Sequence, residues 1–389
     1  MVRCSCRVGT MIVRHFLQWV RTAPAADRAD ATAALARAYL YSDLSSDDRI
    51  AAEGAMVMSL DDPSPLVRRA LAEALAGSAE APPAVILALA AEQPEIASPV
   101  LERSPLLLDA DLVELVAAGA ETNQVPIARR AGLPRSVAAA LAEVGSAEAC
   151  LALIENSAAE IAAFSLGRMA ERFGHLGVVR EALFAREDLP APTRQALMIQ
   201  LSQTLVSFVA ERRWLDETRA RRISREACEK ATITLAAASR SRELGPLVRH
   251  LRESGQLNAG LMLRTLLCGN LALFEQALAE LSGLPPARVA SLVNDRRGVG
   301  ARALCERAGL PESTLPAFTA AIEALHEHGF SGDPGGPAQL KRRMIERVLT
   351  RYGDAAGTDI DPILTLLRRF AAEAAREEAR LFCQELAAA

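Results

Sequence analysis

The chain has 389 residues, of which half are hydrophobic and only 4% aromatic; this excludes a disordered polypeptide and leaves length for a large buried core. Its net charge of −4, with acids and bases interspersed, excludes a globally basic nucleic-acid binder without excluding a local basic patch. Alanine and leucine dominate, β-branched runs are nearly absent, and proline and glycine punctuate the sequence at short intervals, a pattern that predicts stacked short helices rather than a sheet core.

Residues 1–10 are unlike the rest and read as a non-native or disordered start, with translation expected from Met11. Over Met11–Arg21, Ile12, Phe16, Trp19 and Val20 share one helical face. This segment is expected to cap the first repeat, in preference to a peripheral membrane contact, because arrays need covered ends. Helices follow over 25–41 and 47–60, the second capped by Ser45 or Ser46. The organising stretch is 60–77. Leu66, Val67, Ala70, Leu71, Ala74 and Leu75 form a helical stripe, Ser64 suits the N-cap and Pro65 the first helical position, and Gly77 suits a left-handed stop. It reads as the second helix of a HEAT-type repeat.

Short units then begin at 82, 107 and 134, each too brief to be stable without stacking. They predict helices over 82–92, 94–103, 107–118, 134–144, 160–173 and 178–186. Residues 193–215 and 218–240 lack internal proline and glycine and predict a long helical hairpin. After Gly245-Pro246 short helices resume at 247–253, 259–268, 271–281, 287–296, 301–308 and 313–326. Arg130-Ala131-Gly132-Leu133-Pro134 recurs 177 residues on as Arg307-Ala308-Gly309-Leu310-Pro311, an internal repetition. Residues 331–337 form a Gly/Pro-rich linker, followed by a basic helix over 340–352 and a last helix over 362–386.

The expected organisation is therefore a start at 1–10, a HEAT-like repeat block at 11–190, a long hairpin at 191–242, a second short-helix block at 243–330, a linker at 331–337 and a separable helical arm at 338–389. The fold class is all-α: a HEAT-like α-α superhelix, a right-handed solenoid of short helix pairs, carrying a central hairpin and a C-terminal arm. The segments Phe16-Leu17-Gln18-Trp19, Ala38–Leu44, the turn and helix from Asp61 to Leu75, Pro99–Leu106 and Arg130–Pro134 together resemble the alphaproteobacterial family called domain of unknown function 2336, over roughly residues 11–350. The resemblance implies an all-helical array in a bacterial cytoplasm. It carries over no activity and no site residue.

The residues themselves offer no catalytic set. Gly298-Val299-Gly300 lacks the third glycine of a dinucleotide site, and Gly332–Gly336 lacks the lysine and hydroxyl of a phosphate loop. Glu323 and His326 form half of a di-iron helix motif with no second half, so they read as a polar helix end. Seven scattered cysteines without a Cys-x-x-Cys suit a reduced cytoplasm, with Cys150, Cys268 and Cys305 as small core residues. No apolar run reaches the roughly 18 residues of a membrane span. No cofactor or metal is expected.

Two basic stretches remain. Lys341, Arg342, Arg343, Arg347 and Arg351 are the first candidate binding patch, unless the acidic run from Glu373 to Glu378 masks them. Arg212, Arg213, Trp214, Arg219, Arg221, Arg222 and Arg225 are the second; five interspersed acids favour a solvated, salt-bridged face there. Lys230 and Lys341 are the only lysines, a bias that a GC-rich genome is enough to explain. The expected function is a non-catalytic scaffold that binds a protein partner on the array, with nucleic-acid binding through arginines as the alternative and an enzyme as the third class.

Overall fold

A computed structural model describes residues 16, 18–20, 22–295, 298–328, 341–342, 344–350 and 362–388. Among them every regular element is helical and none is a strand. The starting segment 1–10 and the linker 331–337 lie outside the described residues, as does most of Met11–Arg21. The chain divides into two compact units, Met1–Leu189 and Pro190–Ala389.

The first unit contains α1 (Ala25–Tyr41), α2 (Ser46–Leu60), α3 (Pro65–Leu75), α4 (Pro83–Ala90), α5 (Pro94–Arg103), α6 (Asp109–Ala118), α7 (Glu121–Ala128), α8 (Arg135–Val144), α9 (Ala147–Glu155), α10 (Ala163–Phe173) and α11 (Gly177–Ala185). Each odd helix packs on the next odd one from α1 to α11, while α2 packs on α4 and α6, α8 and α10 pack in series, giving a two-layer stack. Helices of 8–11 residues are too short to persist alone. They are held by one buried stripe each, such as Val67, Leu71 and Leu75 in α3 or Val137 and Leu141 in α8. Proline at the first position starts α3, α4 and α5 without losing a hydrogen bond, since the first amides of a helix have no partner within it.

At α3 the termini differ from the sequence expectation. Ser64 makes no side-chain cap; the Asp62 carboxylate instead accepts the Ser64 N–H at 2.8 Å and also receives Arg28 of α1 through two 2.8 Å bonds. The Arg28 guanidinium holds the Asp62 carboxyl below its ordinary range. Gly77 does not adopt the left-handed stop, because the chain continues right-handed through Ala76. Leu66 is exposed, so the buried stripe is narrower than the sequence stripe.

Arginine has a recurring structural task here that base composition does not explain. Arg130 donates to the Leu101 and Ser104 carbonyls at the end of α5, Arg172 to Ala142 and Gly145 at the end of α8, and Arg186 to Ile154 at the end of α9. The last carbonyls of a helix lack partners within it and carry the negative end of its dipole. A guanidinium fork can serve two of them at once, which an ammonium does poorly. Arg172→Lys is accordingly expected to lower the unfolding free energy by about 1–2 kcal/mol, measured by denaturant unfolding. The repeated pentapeptide uses the same device. Gly132 and Gly309 both take positive φ, at 64° and 73°, and Arg307 donates to the Ser282 carbonyl at 3.1 Å as Arg130 does to Ser104.

The second unit contains α12 (Ala191–Glu211), α13 (Glu217–Ala238), α14 (Ser241–Glu253), α15 (Ala259–Leu267), α16 (Leu271–Ser282), α17 (Pro286–Val293), α18 (Val299–Arg307), α19 (Leu315–His328) and α20 (Pro362–Ala388). Helical residues 344–350 precede α20. The core centres on Phe274 of α16 and Phe318 of α19, whose rings stack at 6.0 Å. α14 begins six residues before the expected 247 and runs through Pro246. Burial of Leu244 draws that first turn into the core, outweighing the one hydrogen bond the proline removes.

The separable arm at 338–389 is not found. Met344, Ile345 and Val348, with Ile363, Leu367, Phe370 and Ala374 of α20, are buried in the same apolar cluster as Leu261, Leu266 and Phe274. Glycine and proline mark a break in regular structure; they do not prevent the chain beyond from packing back.

Candidate functional site

The hairpin α12–α13 carries the least-covered apolar surface of the second unit. Its base is anchored by Ala191, Gln195 and Leu197 of α12 and by Thr232, Ile233 and Ala236 of α13, all buried. The distal part buries only Ala220. Two helices can cover only the strip each turns to the other, here marked by the Ser202–Ser224 hydroxyl pair. Apolar residues beyond that strip are left partly or largely exposed.

The turn at the tip is built tightly. Asp216 caps α13 by accepting the Arg219 N–H, and the Trp214 N–H closes α12 on the Val209 carbonyl at 3.1 Å. Arg213 sits at φ 54°, the only non-glycine positive φ among the described residues, a conformation that costs an L-residue about 1–2 kcal/mol. Arg212 lies 3.6 Å over the Phe208 ring and 5.6 Å from the Trp214 ring, and those two rings meet edge-on at 5.8 Å.

On one side of the hairpin, Met198, Leu201, Leu205 and Val209 face Leu215, Ile223, Ala227 and Ala231 across a groove of about 360 Å³. Leu205 and Ile223 of this groove are 53% and 45% exposed, and at the tip Phe208 and Trp214, in contact with each other, are 43% and 65% exposed. Isolated exposed apolar residues are ordinary, but an open groove lined almost wholly by apolar side chains has the character of an interaction surface. On the other side lies a polar cleft of about 750 Å³, lined by Gln203, Ser207, Arg221, Arg225, Glu229 and Asn258 among others. Burial holds the Glu229 carboxyl above its ordinary range, against the pull of Arg264 and Arg225. Cys228 also lines the cleft, but no histidine does, so no thiol–base pair is formed there.

The structure therefore divides the second basic patch. Arg212, Arg213 and Trp214 form the tip, Arg219 and Arg222 are exposed on α13, and Arg221 and Arg225 line the cleft. Arg221 is paired with Glu217 and Arg225 acts on Glu229, whereas Arg213, Arg219 and Arg222 have no carboxylate partner among the described residues. Of these arginines, Arg221 forms an ion pair within hydrogen-bonding distance.

Lys341 and Arg342 of the first basic patch are not open cations. Lys341 is bonded to Glu377 at 2.9 Å, and Arg342 to Glu346 and Glu378 at 2.8 Å each. Lys341 lowers the Glu377 carboxyl below its ordinary range. Arg347 is half-buried and partnered, while Arg343 and Arg351 lie outside the described residues. Glu377 and Glu378 of α20 thus pair with two members of what the sequence presents as a patch.

Two histidines and three cysteines have structural places among the described residues. His326 meets the Val293 carbonyl at 3.0 Å, and His250 meets Gln195 Oε1 at 3.0 Å, its ring held below its ordinary pKa by burial. No group of three or more potential metal-ligating side chains occurs among the described residues. Cys150 and Cys305 are buried, which pushes each thiol up to about 11, and Cys268 is raised by burial as well. At about pH 8, alkylation of native protein should therefore reach exposed Cys383 first and leave Cys150 and Cys305 largely unmodified, read by peptide mass mapping. Among the described residues no helix is long and apolar enough to cross a membrane.

No curated protein and no solved structure matches the chain. Residues 96–356 match the family model described as "Uncharacterised protein conserved in bacteria (DUF2336)", which is more than half of the chain, and the protein belongs to that family.

Proposed function

We propose that the protein is a non-catalytic interaction protein of the bacterial cytoplasm that binds a protein partner on the apolar side of the α12–α13 hairpin. The observation that carries this reading is an apolar groove lined by exposed Leu205 and Ile223, with exposed Phe208 and Trp214 at the tip, on a hairpin whose base is firmly packed. Aromatic side chains and arginine are the types enriched in binding hot spots, and Arg212 over Phe208 with Trp214 beside them provides both. The second-neighbour packing of short helices over α1–α11 supports the HEAT-like, right-handed solenoid reading of the first unit. The free cysteines suit a reducing compartment. Pairing of Lys341 and Arg342 with Glu377 and Glu378 favours a protein partner over nucleic acid at that patch.

The test is affinity purification from the native cell, with and without nuclease, using the wild-type chain and a Leu205→Glu/Ile223→Glu variant. Both side chains are exposed, so the variant is expected to unfold within a few degrees of wild type. A discrete partner that survives nuclease and falls by about tenfold or more in the variant is the expected result. A partner lost on nuclease treatment assigns the protein to nucleic acid, and one retained equally by the variant assigns binding to another surface.

A further inference from the structure

We infer that the occupant of the hairpin groove is an amphipathic helix whose apolar stripe is bordered by aspartate and glutamate, lying along α12 and α13 as the third helix of a small bundle. The inference rests on the protein-docking reading of this face and adds the chemistry of the partner. It follows from what the groove lacks and from what surrounds it.

The groove floor offers almost nothing to hydrogen-bond with. Its lining is Met198, Leu201, Leu205, Val209, Ile223 and neighbours of the same kind. The hydroxyls of Ser202 and Ser224, the polar side chains at its centre, are bonded to each other. The backbone amides and carbonyls of both walls are committed within α12 and α13. A strand or an irregular segment placed there would bury unsatisfied backbone groups. A helix satisfies its own backbone and brings only side chains to the surface. Two antiparallel helices present a groove that a third helix fills at the usual interaxial distance of about 8–10 Å. The apolar strip from Met198 to Val209 is about 17 Å long at 1.5 Å per residue, so it suits a partner helix of roughly three to four turns with anchors at i, i+3 or i+4, and i+7.

The charge at the tip selects the partner's borders. Arg212, Arg213, Arg219 and Arg222 stand against Glu211 and Asp216, an excess of two cations, and Asp216 is already engaged by the Arg219 N–H. Arg219 lies one turn before Ile223 on α13, at the edge of the apolar strip. Arg213, Arg219 and Arg222 have no carboxylate partner among the described residues. Carboxylates on the flanks of the incoming helix would meet these guanidiniums as its stripe seats, whereas lysines there would be repelled.

The experiment is selection from a displayed library of helix-biased peptides of about 16 residues on the purified full chain, with counter-selection on the folded Leu205→Glu/Ile223→Glu variant. The expected winners carry a helical apolar stripe with acids exceeding bases beside it. One synthesised winner should lose about tenfold or more in affinity toward the variant, toward Arg212→Glu/Arg219→Glu, and on moving from low to high salt. Winners with basic or uncharged borders, or with no helical stripe, overturn the inference. No enrichment on wild type over the variant also overturns it, while a hairpin-dependent partner in the affinity purification would leave the docking reading standing. Binding of phosphatidylglycerol vesicles that the variant loses, without any peptide winner, would assign the face to a membrane surface instead.

Discussion

A chain ending at Phe330 is expected to lose the cooperative folding of residues 190–328. The truncation removes Met344, Ile345, Val348, Ile363, Leu367, Phe370 and Ala374, all buried in the core that contains Phe274 and Phe318. At about 1.5–3 kcal/mol for each large buried side chain, the loss is on the order of 10 kcal/mol, comparable with the entire stability of an ordinary domain. It also deprives Arg264 of Glu373, a 2.7 Å ion pair. Limited proteolysis with circular dichroism is the check. The second unit should become protease-sensitive and lose its unfolding transition, whereas an arm that merely hangs on the array would leave both unchanged.

Arg264→Met should destabilise the second unit by about 3–5 kcal/mol, the usual loss when one partner of a buried ion pair is removed. Arg264 of α15 is buried, reaches Glu373 of α20 at 2.7 Å and Glu229 of α13 at 3.4 Å, and lies 4.3 Å over the Phe370 ring. One side chain thus joins three helices. Lys230, 3.5 Å from Glu373, can compensate only one of the two carboxylates. The pH dependence has a definite sign. Burial already holds Glu229 above its ordinary range, and loss of Arg264 moves it further up. An acid raised in the folded state binds more protons there than in the unfolded chain, so the variant gains stability as pH falls toward the unfolded value of about 4.3 and loses it as pH rises. Denaturant unfolding at neutral and mildly acidic pH should show the gap to wild type narrowing on acidification. A gap independent of pH would mean that packing over Phe370, not charge, is what Arg264 supplies.

The all-helical fold was legible because it is written in local signals. The expected helix at 25–41 coincides with α1, and the one at 94–103 coincides with α5 despite Pro99. Proline and capping residues fix helix starts through the backbone of a few neighbouring residues, which a sequence displays directly. The family resemblance was legible for the same reason. Signals that depend on distant partners were not. Gly77 and Gly132 are alike in sequence, yet only Gly132 takes positive φ, while the carboxylate that organises the start of α3 answers to Arg28, 34 residues away. Pro246 marks a helix start by local rules, but Leu244 finds a core and recruits the turn before it.

The candidate site shows the same limit more sharply. Met198, Leu201, Leu205 and Val209 have the periodicity of a core-facing stripe, and nothing local distinguishes that from a stripe left open. Only the length of the hairpin relative to the packed base reveals it. The basic run at Lys341 and Arg342 was conspicuous because like charges sit close in sequence, yet Glu377 and Glu378 neutralise it from 36 residues away. Charge runs report composition; their availability is a tertiary fact.

The most direct measurement is photo-crosslinking in the native cell, with a benzophenone-bearing phenylalanine placed at Leu205, at Ile223, or at Gln203 on the opposite, cleft-lining side of the hairpin. The account predicts discrete, nuclease-resistant protein adducts from Leu205 and Ile223 and none from Gln203. Adducts of equal yield from all three positions, or from Gln203 alone, would contradict it.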